Sequence, residues 1–203
     1  MKRQIVYFIS GLILVIISIP LNVYAKLGCD PLSSLSTSIS KASGITFGTI
    51  LILLNIIFIM IHLLYFKNLR YAIIAFSCSL ATGIGVDLIN LIIKEIPNNL
   101  IYQKIIILLS AYIIMCFGVA LIQKSHFQKM AFESFQEVLS KIFKKDINFI
   151  RVIVEILCVL CAFLIFEIFK IAYLDYINFG TLFMMFSTGP GIYLVYKKIL
   201  KGE

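Results

Sequence analysis

Charge is scarce in this chain. Only 14% of its 203 residues are Asp, Glu, Lys or Arg, while 61% are hydrophobic and mean hydropathy is +1.04. Soluble domains carry about 25% charged and about 45–50% apolar residues. A water-soluble core of this size has no room for the surplus, so it must face lipid, which is as apolar as a core. Other absences exclude chemistries. The chain has neither a G-x-x-x-x-G-K-[ST] phosphate loop nor a G-x-G-x-x-G dinucleotide fingerprint, so ATP hydrolysis by this chain alone is not expected. No serine, cysteine or carboxylate stands among partners that would activate it. No catalytic residue is named, and the chain is not read as an enzyme. Cys158 and Cys161 form a C-x-x-C one helical turn apart, without the further ligands a zinc or redox site needs. They read as small apolar residues of a span, and neither metal nor cofactor is expected.

The formal net charge of +8 would suggest nucleic acid in a soluble protein. Here the cations cluster between apolar runs. They read as topology signals and lipid-headgroup contacts, with no nucleic-acid partner. A span needs about 20 mostly apolar residues. Six stretches qualify: Ile5–Ala25, Phe47–Phe66, Tyr71–Ile93, Ile105–Gln123, Ile150–Ile171 and Phe179–Tyr196. The first has a rival reading as a cleaved signal peptide, since Lys2 and Arg3 precede it and Val23-Tyr24-Ala25 resembles a processing site.

Two segments between spans are amphipathic. After Lys26, Leu32, Leu35 and Ile39 recur at helical spacing behind Pro31, with Ser and Thr on the other face. In 125–149, Phe132, Phe135, Val138, Leu139 and Ile142 recur likewise among charged residues. Both read as interfacial or re-entrant helices, or as plain surface helices across the bundle ends. The order span, amphipathic segment, span, span therefore occurs twice. Thr82-Gly83-Ile84-Gly85 echoes Thr188-Gly189-Pro190-Gly191, Ile45-Thr46-Phe47 echoes Ile147-Asn148-Phe149, and Pro31 stands where Ala131 stands. The expected fold is all-α: one polytopic membrane helix bundle over 1–203, with about six spans in a 3+3 inverted repeat (about 1–100 and 101–203). Three spans per half insert the halves in opposite orientations, an architecture many secondary transporters share.

The residues after the first span carry a family resemblance. Leu27-Gly28-Cys29-Asp30-Pro31-Leu32-Ser33-Ser34-Leu35 follows an L-G-x-x-P-W-D-x-L pattern with Leu32 and Ser33 in place of its Trp and Asp. Ser43-Gly44-Ile45-Thr46-Phe47-Gly48-Thr49 follows a T-G-x-x-x-G-T stretch. Arg151 and Glu155 fit an R-x-x-x-E, Gly180-Thr181 and Gly189-Pro190 fit closing G-T and G-P pairs, and Glu133 stands at a second-half acid position. The chain thus resembles the YczE/YyaS/YitT-like bacterial membrane proteins, especially the YczE-like branch. The resemblance implies a multi-pass protein of the bacterial cell membrane.

Ionisable groups inside spans are costly and mark function by default. Arg151 and Glu155, four apart on one helix face, are expected to pair, as a structural clamp or as a site for a charged solute. Thr82, Gly83, Gly85 and Asp87 in one half, and Thr188, Gly189 and Pro190 in the other, admit two readings. The helices break there around a polar cavity, or the small residues let helices touch. Pro31 joins these as a binding candidate. Asn55 reads as an interhelical hydrogen-bond donor and His62 as a packed polar residue. Three functions remain open: a small-solute permease, a membrane scaffold docking a cytoplasmic protein through 125–149, and a substrate-capture subunit of a larger uptake complex.

With both termini cytoplasmic, only Lys26, Lys41, Lys94, Lys104 and Lys170 of the 18 basic residues lie outside, leaving 13 inside. The positive-inside rule favours this orientation. A fluorescent reporter fused to the C-terminus should therefore glow and a phosphatase fused there should stay inactive; the opposite pattern rejects the topology.

Overall fold

The computed structural model describes residues 2–93 and 100–200, and among them every regular element is helical. Lys94 and Lys201 fall outside the described residues. The order is α1 (Lys2–Tyr24), α2 (Pro31–Ser43), α3 (Phe47–Phe66), α4 (Leu69–Ile92), α5 (Ile101–Ser125), α6 (Ala131–Phe143), α7 (Ile147–Ile168) and α8 (Phe179–Leu194). Val195–Leu200 continues α8 as a π-helix. Five helices, α1, α3, α4, α5 and α7, are long and apolar enough to cross a membrane. The expected sixth span, α8, has 16 residues, about 24 Å of rise against a hydrocarbon core of about 30 Å. Apolar side chains such as Leu64, Leu91 and Ile92 are exposed on the outer faces, as lipid requires.

Local chemistry sets the helix ends. Asp30, Thr46, Asn68 and Asp146 each accept a backbone N–H at the start of a helix. At the C-termini the chain turns through left-handed residues that recur at nearly the same spacing in the two halves: Lys26 and His126, Gly44 and Lys144, Lys67 and Lys170. The N-caps Thr46 and Asp146 also correspond, which corrects the sequence match of Ile45-Thr46-Phe47 to Ile147-Asn148-Phe149 by two positions.

The packing interleaves the halves. α1 lies along α5, α2 packs on α7, and α6 packs on α3. The α1–α2 loop is pinned by the α7–α8 loop, where Gly28 and Cys29 donate backbone N–H bonds to the carbonyls of Asp175 and Tyr176, each at 3.1 Å. α2 is not the surface helix the sequence allowed. Its serine face, Ser33, Ser34, Ser36 and Ser38, is buried. Ser36 and Ser38 donate back to the carbonyls of Leu32 and Leu35, each at 2.8 Å, so small residues that satisfy themselves let α2 lie close to its neighbours.

α4 runs unbroken through Gly83 and Gly85, and α8 runs unbroken through Gly189 and Pro190. The expected interruptions are absent. Gly83 instead lets α4 touch α3: a Cβ on Gly48 would collide with the Gly83 carbonyl oxygen and the Asp87 carboxyl. Asp87 accepts from the Gly48 N–H at 2.7 Å and the Thr46 hydroxyl at 2.6 Å, so it caps the start of α3 from the neighbouring helix. Asp87→Asn should therefore lower thermal stability in detergent, by about 1–2 kcal/mol for a lost charged cap. A wild-type melting temperature for that variant would refute the capping role.

Candidate functional site

A partly open cavity of about 320 Å³ lies between the helices, lined by residues of all eight. Its polar lining comes from Asp30 and Ser33 at the start of α2, Asn55 of α3 and Thr82 of α4. Gln123 of α5 adds to it, with Lys129, Glu133 and Gln136 at the start of α6, Asn148, Arg151 and Glu155 of α7, and Thr188 of α8. Both short helices begin at this cavity, so their first turns and backbone dipoles meet the same space.

Arg151 and Glu155 are joined by a bond from Nε to Oε1 at 2.8 Å, as their spacing predicts. Glu155 is 5% exposed, and its second oxygen, Oε2, has no hydrogen-bond partner within the protein. Gln136, also 5% exposed, has an unpartnered Nε2. Gly189 leaves room for the guanidinium, since a Cβ there would stand 2.9 Å from Arg151 Nη1. That is the local role of a glycine read from sequence as a helix breaker. Asp30 accepts from the Ser33 N–H and from Asn22 Nδ2, each at 3.0 Å. Burial pushes its carboxyl above the usual carboxylate range, against these hydrogen bonds. Burial also raises Glu133, opposed by the charges of Arg151 and Lys129 and by a hydrogen bond from Gln123. Lys129 itself bonds Glu137 at 2.6 Å outside the cavity.

Of the binding candidates taken from sequence, Pro31, Thr82, Arg151, Glu155 and Thr188 line the cavity. Thr82 and Thr188 donate to the carbonyls one turn back, of Cys78 at 2.8 Å and Met184 at 2.5 Å. Gly83, Gly85, Asp87 and Gly189 stand outside its lining, in helix contacts, and Pro190 lies outside it on an exposed face. Sequence reasoning passed over Asp30, Lys129, Gln136 and Asn55 as cavity residues. Glu133 was noted only as matching a pattern. For Asp30, Lys129 and Glu133 the available signal is their position at the starts of the two amphipathic segments; Asn55 and Gln136 carry no such signal. His62 is a packed polar residue, bonded to Ser134 Oγ at 2.6 Å and lying 3.8 Å, centroid to centroid, from the Tyr71 ring.

An apolar exterior, long hydrophobic helices and a charged interior define a helical membrane protein. The chain belongs to the Family of unknown function (DUF6198), which matches residues 1–197. It is also similar to YyaS of Bacillus subtilis (strain 168), a protein named only as uncharacterized, at 23% identity over 149 residues. That alignment spans 73% of this chain and 74% of YyaS. No solved structure matches the chain.

Removing either partner of the Arg151–Glu155 pair strands a charge, at a cost of about 2.5–3.5 kcal/mol on insertion scales, whereas removing both leaves no orphan. Arg151→Gln and Glu155→Gln should each lower thermal stability more than the double substitution does. Strictly additive losses in that double-mutant cycle would show that the two side chains do not interact.

Proposed function

We propose that the protein is a small-solute permease of the bacterial cell membrane. It would be built as a 3+3 inverted repeat in which α8, extended by Val195–Leu200, serves as the sixth span. Both termini would lie in the cytoplasm. The supporting observation is the cavity, whose walls come from matching positions in the two halves: Leu32 with Phe132, Ser33 with Glu133, Leu51 with Arg151, Asn55 with Glu155, and Thr82 with Thr188. Crossed packing of α2 on α7 and α6 on α3 is what a two-fold axis through that cavity would give. Secondary transporters place their sites at such an axis.

The matching is uneven, and that favours movement. α3 and α4 pack tightly through Gly48 and Gly83, while their counterparts α7 and α8 touch only sparsely. Exchanging the tight and loose arrangements between halves would carry the cavity from one membrane face to the other. A capture subunit would also hold a solute but would need a partner to release it. A scaffold docking a cytoplasmic protein through 125–149 would need no charged cavity. The similarity to YyaS and the sequence patterns of the YczE-like branch agree with a multi-pass protein and leave the solute open.

The decisive assay uses purified protein in liposomes loaded with amino acids, amines and small organic acids. At least one component should leave faster than from protein-free liposomes, and Arg151→Gln with Glu155→Gln should slow that release about tenfold. Equal release of every component with and without protein would sink the permease reading.

A further inference from the structure

The cavity has an unequal charge account. Three acids, Asp30, Glu133 and Glu155, face two bases, Arg151 and Lys129. The bases are already engaged: Arg151 bonds Glu155, and Lys129 bonds Glu137 beyond the cavity wall. Among the described residues the hydrogen-bond donors to Asp30 are neutral, Ser33 and Asn22. It is close enough for its charge to act on Glu155, whose Oε2 is unpartnered. Asn22, 1% exposed, holds Asp30 through its amide nitrogen from behind the cavity wall. The carboxylates of Asp30 and Glu155 ask for a donor or a positive charge, while the unpartnered Gln136 Nε2 asks for an acceptor.

We propose that this cavity seats a positively charged group between Asp30 and Glu155, carried by a small solute whose hydrogen-bond acceptor takes the Gln136 amide. The proposal rests on the permease reading and narrows it to cationic or ammonium-bearing solutes. The volume of about 320 Å³ fits a molecule of amino-alcohol or amino-acid size. A cation beside Asp30 would also bring down the carboxyl that burial raises. An inorganic coupling ion presents the same charge to the same oxygens, so the test must separate the two sources.

Full-length protein in detergent is titrated with ethanolamine hydrochloride, sodium chloride, ethylene glycol and potassium acetate at matched ionic strength, reading thermal stability. Ethanolamine should stabilise and ethylene glycol, its uncharged analogue, should not. Asp30→Asn keeps the helix cap and should weaken the ethanolamine response about tenfold or more. Stabilisation by sodium alone, lost in Asp30→Asn, would assign the same cation site to a coupling ion. Equal responses to ethanolamine and ethylene glycol, or cation responses unchanged in Asp30→Asn, overturn the proposal. Wild-type protein gives a second readout that needs no variant. The active cation should protect Asp30 and Glu155 from carbodiimide modification in peptide mapping, and unchanged labelling of both overturns the proposal. Liposome flux separates the two claims. Flux of an anion or a neutral solute without cation binding ends this inference alone, whereas cation binding without any flux ends the permease reading alone.

Discussion

A charge inside a membrane bundle persists only where the protein supplies its solvation. The Arg151–Glu155 pair meets that constraint in the first half of the mostly apolar helix α7. Arg151 is held by a carboxylate one turn away, and Gly189 of α8 leaves the space its guanidinium occupies. Around this pair the remaining polar groups become tolerable: Asp30 is held by a backbone N–H and an asparagine, and Glu133 lies in the field of Arg151 and Lys129. Substituting Arg151 alone would leave the acids of the cavity facing one another, with Lys129 engaged elsewhere.

The two halves share a backbone plan but divide the chemistry unequally. To the cavity wall α3 contributes Leu51 and Asn55 and α7 contributes Arg151 and Glu155, while α2 contributes Ser33 and α6 contributes Glu133. The first half contributes Asp30 where the second has Met130. Charge is thus concentrated on α6 and α7, while the first half offers neutral, small and hydrogen-bonding walls. The same inequality appears in packing. Gly48 and Gly83 hold α3 against α4, and Asp87 pins that contact by capping the start of α3. No such clamp joins α7 to α8 among the described residues.

Much of this architecture was legible because its causes are local or periodic. Apolar runs gave five long helices, helical spacing gave the Arg151–Glu155 pair, and the repeated order of segments gave the correspondence of Pro31 with Ala131. What failed depended on three-dimensional neighbours. Thr82-Gly83-Ile84-Gly85 and Thr188-Gly189-Pro190-Gly191 carry the composition of broken helices, yet tertiary contact outweighs the intrinsic cost of glycine, about 1 kcal/mol each. In one segment the absent side chain admits a helix backbone, and in the other it admits a guanidinium. The sequence left α2 open as an interfacial, re-entrant or surface helix, because it cannot show that its serine hydroxyls turn back on the helix. Asp30 stands at a variable position of the sequence pattern, and only the assembled bundle places it in a shared cavity.

A polar cavity lies where helices from the two ends of the chain meet, and dry helix packing surrounds it without filling it. In a cysteine-free background, Thr82→Cys and Thr188→Cys place thiols on the cavity wall, and Ile84→Cys places one on an exposed apolar face. The measurement is the rate at which a small water-soluble, membrane-impermeant thiol reagent labels each in native membranes. Labelling is expected at Thr82→Cys and Thr188→Cys and none at Ile84→Cys. Unreactive thiols at both threonine positions, in folded protein, would contradict it.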